Sequence, residues 1–354
     1  MLLTEADTAA WASVPWEPVT DKATGQAIGW HKAGVPYLPR GESLPLQTLD
    51  VWIPAHGADA ATPPEACALP RNPARRWIIY LHGGAWCDPS IKSASFWRAA
   101  VRLLGRSRPS AAPSLEGFVS LNYRLSPHPA HPSPAPSRNA RHPDHIRDVL
   151  AALAFVRRRL GSDTLSRSIL AGHSCGATLA FQAVMSAARW RGPHPTPTTP
   201  TTTAAAAGGS SSNSSVDADD APKPAVVVGF NGLYDLAGFI ASPPRGYEGL
   251  REAYEEFTRG AFGGDARTWR AVCPTTAEGW VDEWVSAGGR EVVLVQSRGD
   301  TLVPYEQLEG IRGYLEREGR VRVREMEAGG DHDDIWLDGE RMAEILWEVA
   351  KGLE

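Results

Sequence analysis

Apolar residues along this chain recur with two different periods. Short runs at 49–54 (LDVWIP), 76–81 (RWIIYL), 117–122 (GFVSLN), 167–172 (RSILAG), 225–230 (AVVVGF), 291–296 (EVVLVQ) and 321–327 (VRVREME) are rich in aliphatic and β-branched residues. The interior runs are continuous rather than alternating, which predicts strands covered on both faces. Between them the spacing lengthens to that of a helix, over about 142–160, 175–190, 246–262, 304–318 and 338–353. The stretch HIRDVLAALAFVRRRL is the clearest of these, with arginines in its last turn, where cations favour the helix dipole. Strand and helix alternating in this way predict an α/β fold: a mostly parallel central sheet with helices on both faces, a three-layer sandwich.

Two segments break the pattern. Residues 126–143, SPHPAHPSPAPSRNARHP, form a proline-laden loop. Residues 191–224 are a low-complexity stretch of Pro, Thr, Ala, Gly and Ser that cannot bury a core, and they read as a disordered surface insertion rather than a linker. The expectation is one domain over 1–354, with its core at about 48–352.

Composition narrows the function classes. A hydrophobic content of 42% with 22% charged residues is ordinary for a water-soluble protein. The net charge of -5 offers no basic face, so neither a nucleic acid nor an anionic membrane is expected as partner. Cys67, Cys87, Cys175 and Cys273 lie far apart without a CxxC pair, which favours a reducing compartment over a disulfide framework. The N-terminus lacks the basic and apolar regions of a signal peptide, and no apolar run is long enough for a membrane span, so a cytoplasmic location is expected.

The chemistry gathers around AGHSCGATLA (171–180). A G-x-S-x-G pattern alone is common by chance, but here it follows a buried run and opens an alanine-rich helix. That context places Ser174 on a sharp strand-to-helix turn, where Gly172 and Gly176 remove side chains that would collide and the helix N-terminus favours negative charge. Upstream, His82-Gly83-Gly84 comes straight after an interior strand, where backbone amides can form an oxyanion hole. Its donors would be the N–H groups of Gly83 and Gly84, with that of Cys175 just after the serine. His82 reads as a structural residue that fixes the loop.

An acid and a histidine should follow, each after a later strand. Asp300 in QSRGDTLVP and His332 in EAGGDHDDIW fit that order. Ser174 would attack, His332 would carry the proton, and Asp300 would hold the imidazole tautomer. Asp331, Asp333 and Asp334 are competing acids. DHDD also raises a metal site, but it offers one histidine and no second ligand motif, so none is expected. His173 neighbours the serine, yet adjacent residues on such a turn project apart.

Together HGGAW with DP after it, NYRLSP (122–127), AGHSCGATLA, NGLYDL (231–236), SRGDTLVP and GDHDDIW resemble the kynurenine formamidases of the α/β-hydrolase superfamily, the fungal type especially. The resemblance spans about 48–352 apart from the insertion. It implies hydrolysis of N-formyl-L-kynurenine to L-kynurenine and formate, Ser174, Asp300 and His332 as the triad, the HGG loop for the oxyanion, no cofactor, and a homodimer. NYRLSP and the serine turn are shared with hormone-sensitive-lipase-like carboxylesterases, which stand as the alternative, and a non-catalytic ligand receptor on the same fold stands behind them. An aryl substrate needs a flat site, and Trp86, Tyr123 and Trp336 lie on loops that place them as stacking candidates or as ordinary loop anchors.

Overall fold

The computed structural model describes residues 4–39, 41–55, 75–107, 115–161, 163–191 and 223–353. The insertion expected over 191–224 therefore lies, from 192 to 222, outside the described residues. The described strands are β1 (Glu17–Thr20), β2 (Ala27–Pro36), β3 (Thr48–Pro54), β4 (Arg76–Leu81), β5 (Leu115–Leu121), β6 (Ile169–His173), β7 (Val226–Phe230), β8 (Glu291–Gln296) and β9 (Arg322–Glu327). The helices are α1 (Glu5–Ala12), α2 (Trp97–Arg106), α3 (Asp144–Leu160), α4 (Cys175–Val184), α5 (Leu236–Ala241), α6 (Arg251–Phe262), α7 (Ala266–Val272), α8 (Trp280–Ser286), α9 (Tyr305–Glu318), α10 (Asp334–Asp338) and α11 (Glu340–Lys351).

All nine strands belong to one sheet, in the order β1-β2-β3-β5-β4-β6-β7-β8-β9. Pairing is antiparallel from β1 through β3 to β5 and parallel from β5 across to β9. Every strand expected from the apolar runs is present, within two residues at each end. Their period-2 geometry divides the core in two. On β4, Trp77, Ile79 and Leu81 pack with α3, α4, α8 and α9, whereas Ile78 and Tyr80 pack with α2 and α11 on the opposite face. Burial on both faces explains why these runs are continuously apolar. The architecture is the three-layer α/β sandwich expected.

Two local departures have physical causes. The helix expected over 175–190 ends at Val184, because Met185 turns extended (φ -71°, ψ 164°). Ser186 then caps a single 3-10 turn, Ala187–Trp190, and its N–H donates to Glu283 at 2.7 Å. At the antiparallel edge, β2 buries Lys32, which donates to the carbonyls of Trp11 and Val14 and lies 4.9 Å from the centre of the Trp16 ring. A buried lysine under two indoles hides the strand from a pattern search, since its charge reads as an exposed position. Among the described residues, no helix is long and apolar enough to cross a membrane.

Candidate active site

The parallel strands carry the site at their C-terminal ends. β6 finishes at His173, Ser174 adopts φ 56° and ψ -124°, and α4 begins at Cys175. Such a backbone costs a non-glycine residue about 1–3 kcal/mol and persists only when its surroundings hold it. The hold is visible: the Ser174 N–H donates to Phe230 O at 2.8 Å, across the end of β7. A Cβ on Gly172 would stand 2.1 Å from Gly176 O, and one on Gly176 would stand 2.3 Å from Leu81 O. Both glycines are required by the close crossing of strand and helix.

The His82-Gly83-Gly84 loop lies directly against this turn. A Cβ on Gly83 would be 3.0 Å from Ser174 Cβ. The His82 ring stacks on Tyr123 with centroids 4.4 Å apart, its Nδ1 is 2.8 Å from Gly83 O, and the Tyr123 hydroxyl donates to His82 O at 2.9 Å. Gly84, Ala85 and Trp86 all take positive φ, at 96°, 48° and 59°. Ala85 thus follows the left-handed path that a third glycine would take without strain. Cys175 heads α4, so its N–H has no acceptor within the helix. Its Sγ accepts from Trp86 N at 3.3 Å, tying loop to elbow. Burial pushes the Cys175 thiol up to about 11 and the Cys87 thiol up to about 12, so neither sulfur competes as a nucleophile at neutral pH.

Asp300 follows β8 and is 2% exposed. Its Oδ1 accepts from the N–H groups of Leu302 (2.9 Å) and Val303 (2.8 Å). Its Oδ2 lies 2.8 Å from His332 Nδ1 and accepts from Gln296 Nε2 at 3.2 Å. The competing acids are engaged elsewhere. Asp331 takes the backbone and hydroxyl donors of Thr301 at 2.8 Å each, and the Thr301 N–H, with that of His332, holds its carboxyl below the usual range. Asp333 accepts from Trp336 Nε1 at 2.9 Å, and Asp334 from Asp331 N at 2.8 Å. Asp300 is thus the carboxylate in contact with the His332 ring.

Nitrogen and carboxylate atoms of His173, His332 and Asp333 also lie within 4.8 Å of one another, a spacing a cation would accept. One donor atom of each is already engaged within the protein. His332 Nδ1 is turned to Asp300, His173 Nε2 is turned to the His332 carbonyl at 2.9 Å, and Asp333 holds an indole N–H.

Ser174 and His332 share the lining of a cavity of about 370 Å³. Its apolar wall comes from Tyr254 and Phe257 on α6 with Leu233, Leu302 and Val303, none of them singled out by sequence reasoning. Carboxylates of Asp88, Glu256 and Asp333 also line it, with His128 at the proline loop. None of the three stacking candidates lines this cavity. Trp86 and Tyr123 are both fully buried beneath the HGG loop, Trp86 against Phe262 and Tyr123 against His82. Trp336 is half-buried on α10 and packs towards the opposite face of the sheet. Position along a loop gives no indication of which way a ring turns, and these three turn inward as anchors.

Burial carries a consequence for stability. Burial drives His82 down to about 4 and His145 down to about 3, and it also holds His173 well below the usual range. These rings are neutral in the native state but take up protons near pH 6.5 once unfolded. Their contribution is fully present above pH 6.5 and is lost as the pH falls towards 4. Each such proton steepens the loss by about 1.4 kcal/mol per pH unit. Urea midpoints measured from pH 7 to pH 5 are expected to fall steadily; a midpoint constant over that range would refute neutral burial of these rings.

A family described as alpha/beta hydrolase fold matches residues 78–226. A kynurenine formamidase-like hydrolase of Fusarium equiseti is 33% identical, covering 89% of this chain and 93% of that protein. A kynurenine formamidase of Aspergillus versicolor is 31% identical, covering 85% of this chain and 94% of that protein. Among solved structures, a thermophilic esterase of Thermogutta terrifontis with propionate bound superposes with a TM-score of 0.53 at 18% identity, covering 94% of each chain. Carboxyl esterase 2 of Tuber melanosporum gives a TM-score of 0.54 at 16% identity, over 96% of this chain and 84% of that one. The esterases share the fold, and the formamidases share sequence along nearly the whole length: this chain belongs to the kynurenine formamidase family of the α/β-hydrolase superfamily.

Proposed function

We propose that the chain hydrolyses N-formyl-L-kynurenine to L-kynurenine and formate by serine catalysis, without a cofactor. Ser174 Oγ attacks the formyl carbon while His332 Nε2 takes its proton, and Asp300 stabilises the imidazolium that results. The oxyanion is received by the amides of Gly83, Gly84 and Cys175. The C–N bond then breaks as His332 returns the proton to the aryl nitrogen, releasing L-kynurenine and leaving a formyl ester on Ser174. Water, deprotonated by His332, cleaves that ester to formate and restores the serine.

The observation that carries this reading is the Asp300–His332 contact of 2.8 Å beside a cavity that both His332 and Ser174 line. Names of the relatives supply the substrate class. The cavity is of a size to take one aryl group, its apolar wall suits a ring, and Glu256 among its lining residues bears a carboxylate suited to the ammonium of the substrate's amino-acid end. The esterases that share the fold favour the second reading, a carboxylesterase of short acyl chains. Steady-state kinetics with N-formyl-L-kynurenine and with p-nitrophenyl acetate separate the two. The formamide is expected to give the higher kcat/KM; turnover of the ester alone would pass the assignment to the carboxylesterase.

A further inference from the structure

The residue before the nucleophile takes no part in these proton transfers, yet it is buried among the groups that do. His173 is 1% exposed, and its ring packs on that of His332 with centroids 4.7 Å apart and a 44° tilt. Its Nε2 lies 2.9 Å from the His332 carbonyl oxygen. A carbonyl can only accept, so Nε2 carries the proton and the tautomer is fixed. Nδ1 is left unprotonated and unpartnered, backed against Gly83, where a Cβ would stand 2.8 Å from it. Burial first, and then the neighbouring His332, hold this ring well below the usual histidine range, so it stays neutral.

The same oxygen receives a second donor. Asn231, just past β7 at φ 45°, donates from Nδ2 to His332 O at 2.9 Å. Its Oδ1 accepts from Ser297 N at 3.0 Å, and its own N–H donates to Val295 O at 2.8 Å. Side chains from the ends of two adjacent strands thus converge on one main-chain atom of the loop between β9 and α10. That loop needs holding, because Gly329 and Gly330 precede the histidine at φ 74° and 73°. Ser297 Oγ holds the Gly330 carbonyl, and the N–H groups of Asp331 and His332 donate to Asp334 and Asp331, but it is at the His332 carbonyl that the side chains of His173 and Asn231 meet.

We propose that His173 and Asn231 are positioning residues for His332, fixing its main chain jointly so that the ring can reach Asp300 and Ser174 together. Neutrality matters as much as reach. An uncharged ring packed on His332 leaves the imidazolium formed in each proton transfer without a cationic neighbour. The inference rests on reading His332 as the base.

The test measures His173→Leu, which removes the donor, beside His173→Gln, whose amide nitrogen can reach the same oxygen. A displacement of about 1 Å in a catalytic group can cost on the order of 100-fold. His173→Leu is accordingly expected to lower kcat by about 10–100-fold, with KM within about twofold of the parent, and to shift the acidic limb of the kcat profile. His173→Gln is expected to restore most of both. Asn231→Ala should act in the same direction and be less than additive with His173→Leu, since both donors serve one acceptor. A folded His173→Leu protein with parental kcat and an unmoved acidic limb overturns the proposal. If that variant does not fold, His173→Gln against His173→Asn decides it, the shorter amide being unable to span the gap; equal kcat in the two overturns it. His332→Ala runs alongside. Its full activity would remove the base assignment itself, whereas an inactive His332→Ala with a fully active His173→Leu removes the clamp alone.

Discussion

Replacing Ser174 by alanine is expected to lower kcat for N-formyl-L-kynurenine by about 10⁴–10⁶-fold, as loss of a triad nucleophile does elsewhere. The size of the effect follows from the division of labour. Without Oγ no acyl intermediate forms, and what survives is the contribution of the oxyanion amides and the cavity walls to direct attack by water. Binding should persist, because the serine side chain caps no helix and the cavity walls come from α6 and the loops after β7 and β8. Alanine also meets the same positive φ as serine, so the elbow gains little new strain. Single-turnover kinetics and ligand affinity by calorimetry check the two halves separately. Activity within tenfold of the parent would end the nucleophile assignment, and so would a Ser174 that fails to label with a fluorophosphonate.

Asp300→Asn is the second large effect, a fall in kcat of about 10⁴-fold, the size found for the equivalent change in an unrelated serine protease. Asparagine keeps the shape and one acceptor oxygen, so the turn built on the N–H groups of Leu302 and Val303 survives. What changes is the atom facing His332 Nδ1, now 2.8 Å from a carboxylate oxygen. An amide NH₂ there would donate, forcing Nδ1 to accept and Nε2 to carry the proton. Nε2 could then no longer take the proton of Ser174. The far-ultraviolet spectrum and melting temperature should change little, which separates this loss from unfolding. A loss below tenfold would mean that another carboxylate, Asp331 being adjacent, can take over the orienting role.

Much of this arrangement was legible in the order of residues. Ser174, Asp300 and His332 each follow a strand of the parallel half, and continuous apolar runs marked those strands because both faces are buried. Gly172 and Gly176 announced the elbow, because only a missing Cβ lets helix and strand cross so closely. The cavity wall was hidden for the opposite reason. Tyr254 and Phe257 stand on α6, far along the chain from Ser174, Asp300 and His332, and a pocket formed by tertiary packing leaves no local spacing to detect. Trp86 and Tyr123 misled because aromatic residues beside a catalytic loop suggest a platform, whereas here they fill the space under it. β2 escaped notice through Lys32, and β1 and α10 because their four and five residues are too few to set up a period.

The turn holding Asp300 has a bearing on how this enzyme can be altered. Leu302 lends its N–H to the carboxylate while its side chain, 44% exposed, forms part of the cavity wall. Its carbonyl receives the hydroxyl of Tyr254, another wall residue, at 2.9 Å. Reshaping the entrance to admit a different leaving group therefore tugs on the carboxylate through two short links. Directed evolution of selectivity should find its tolerated changes at Leu250, and should meet coupled losses of turnover when it samples Leu302 or Tyr254.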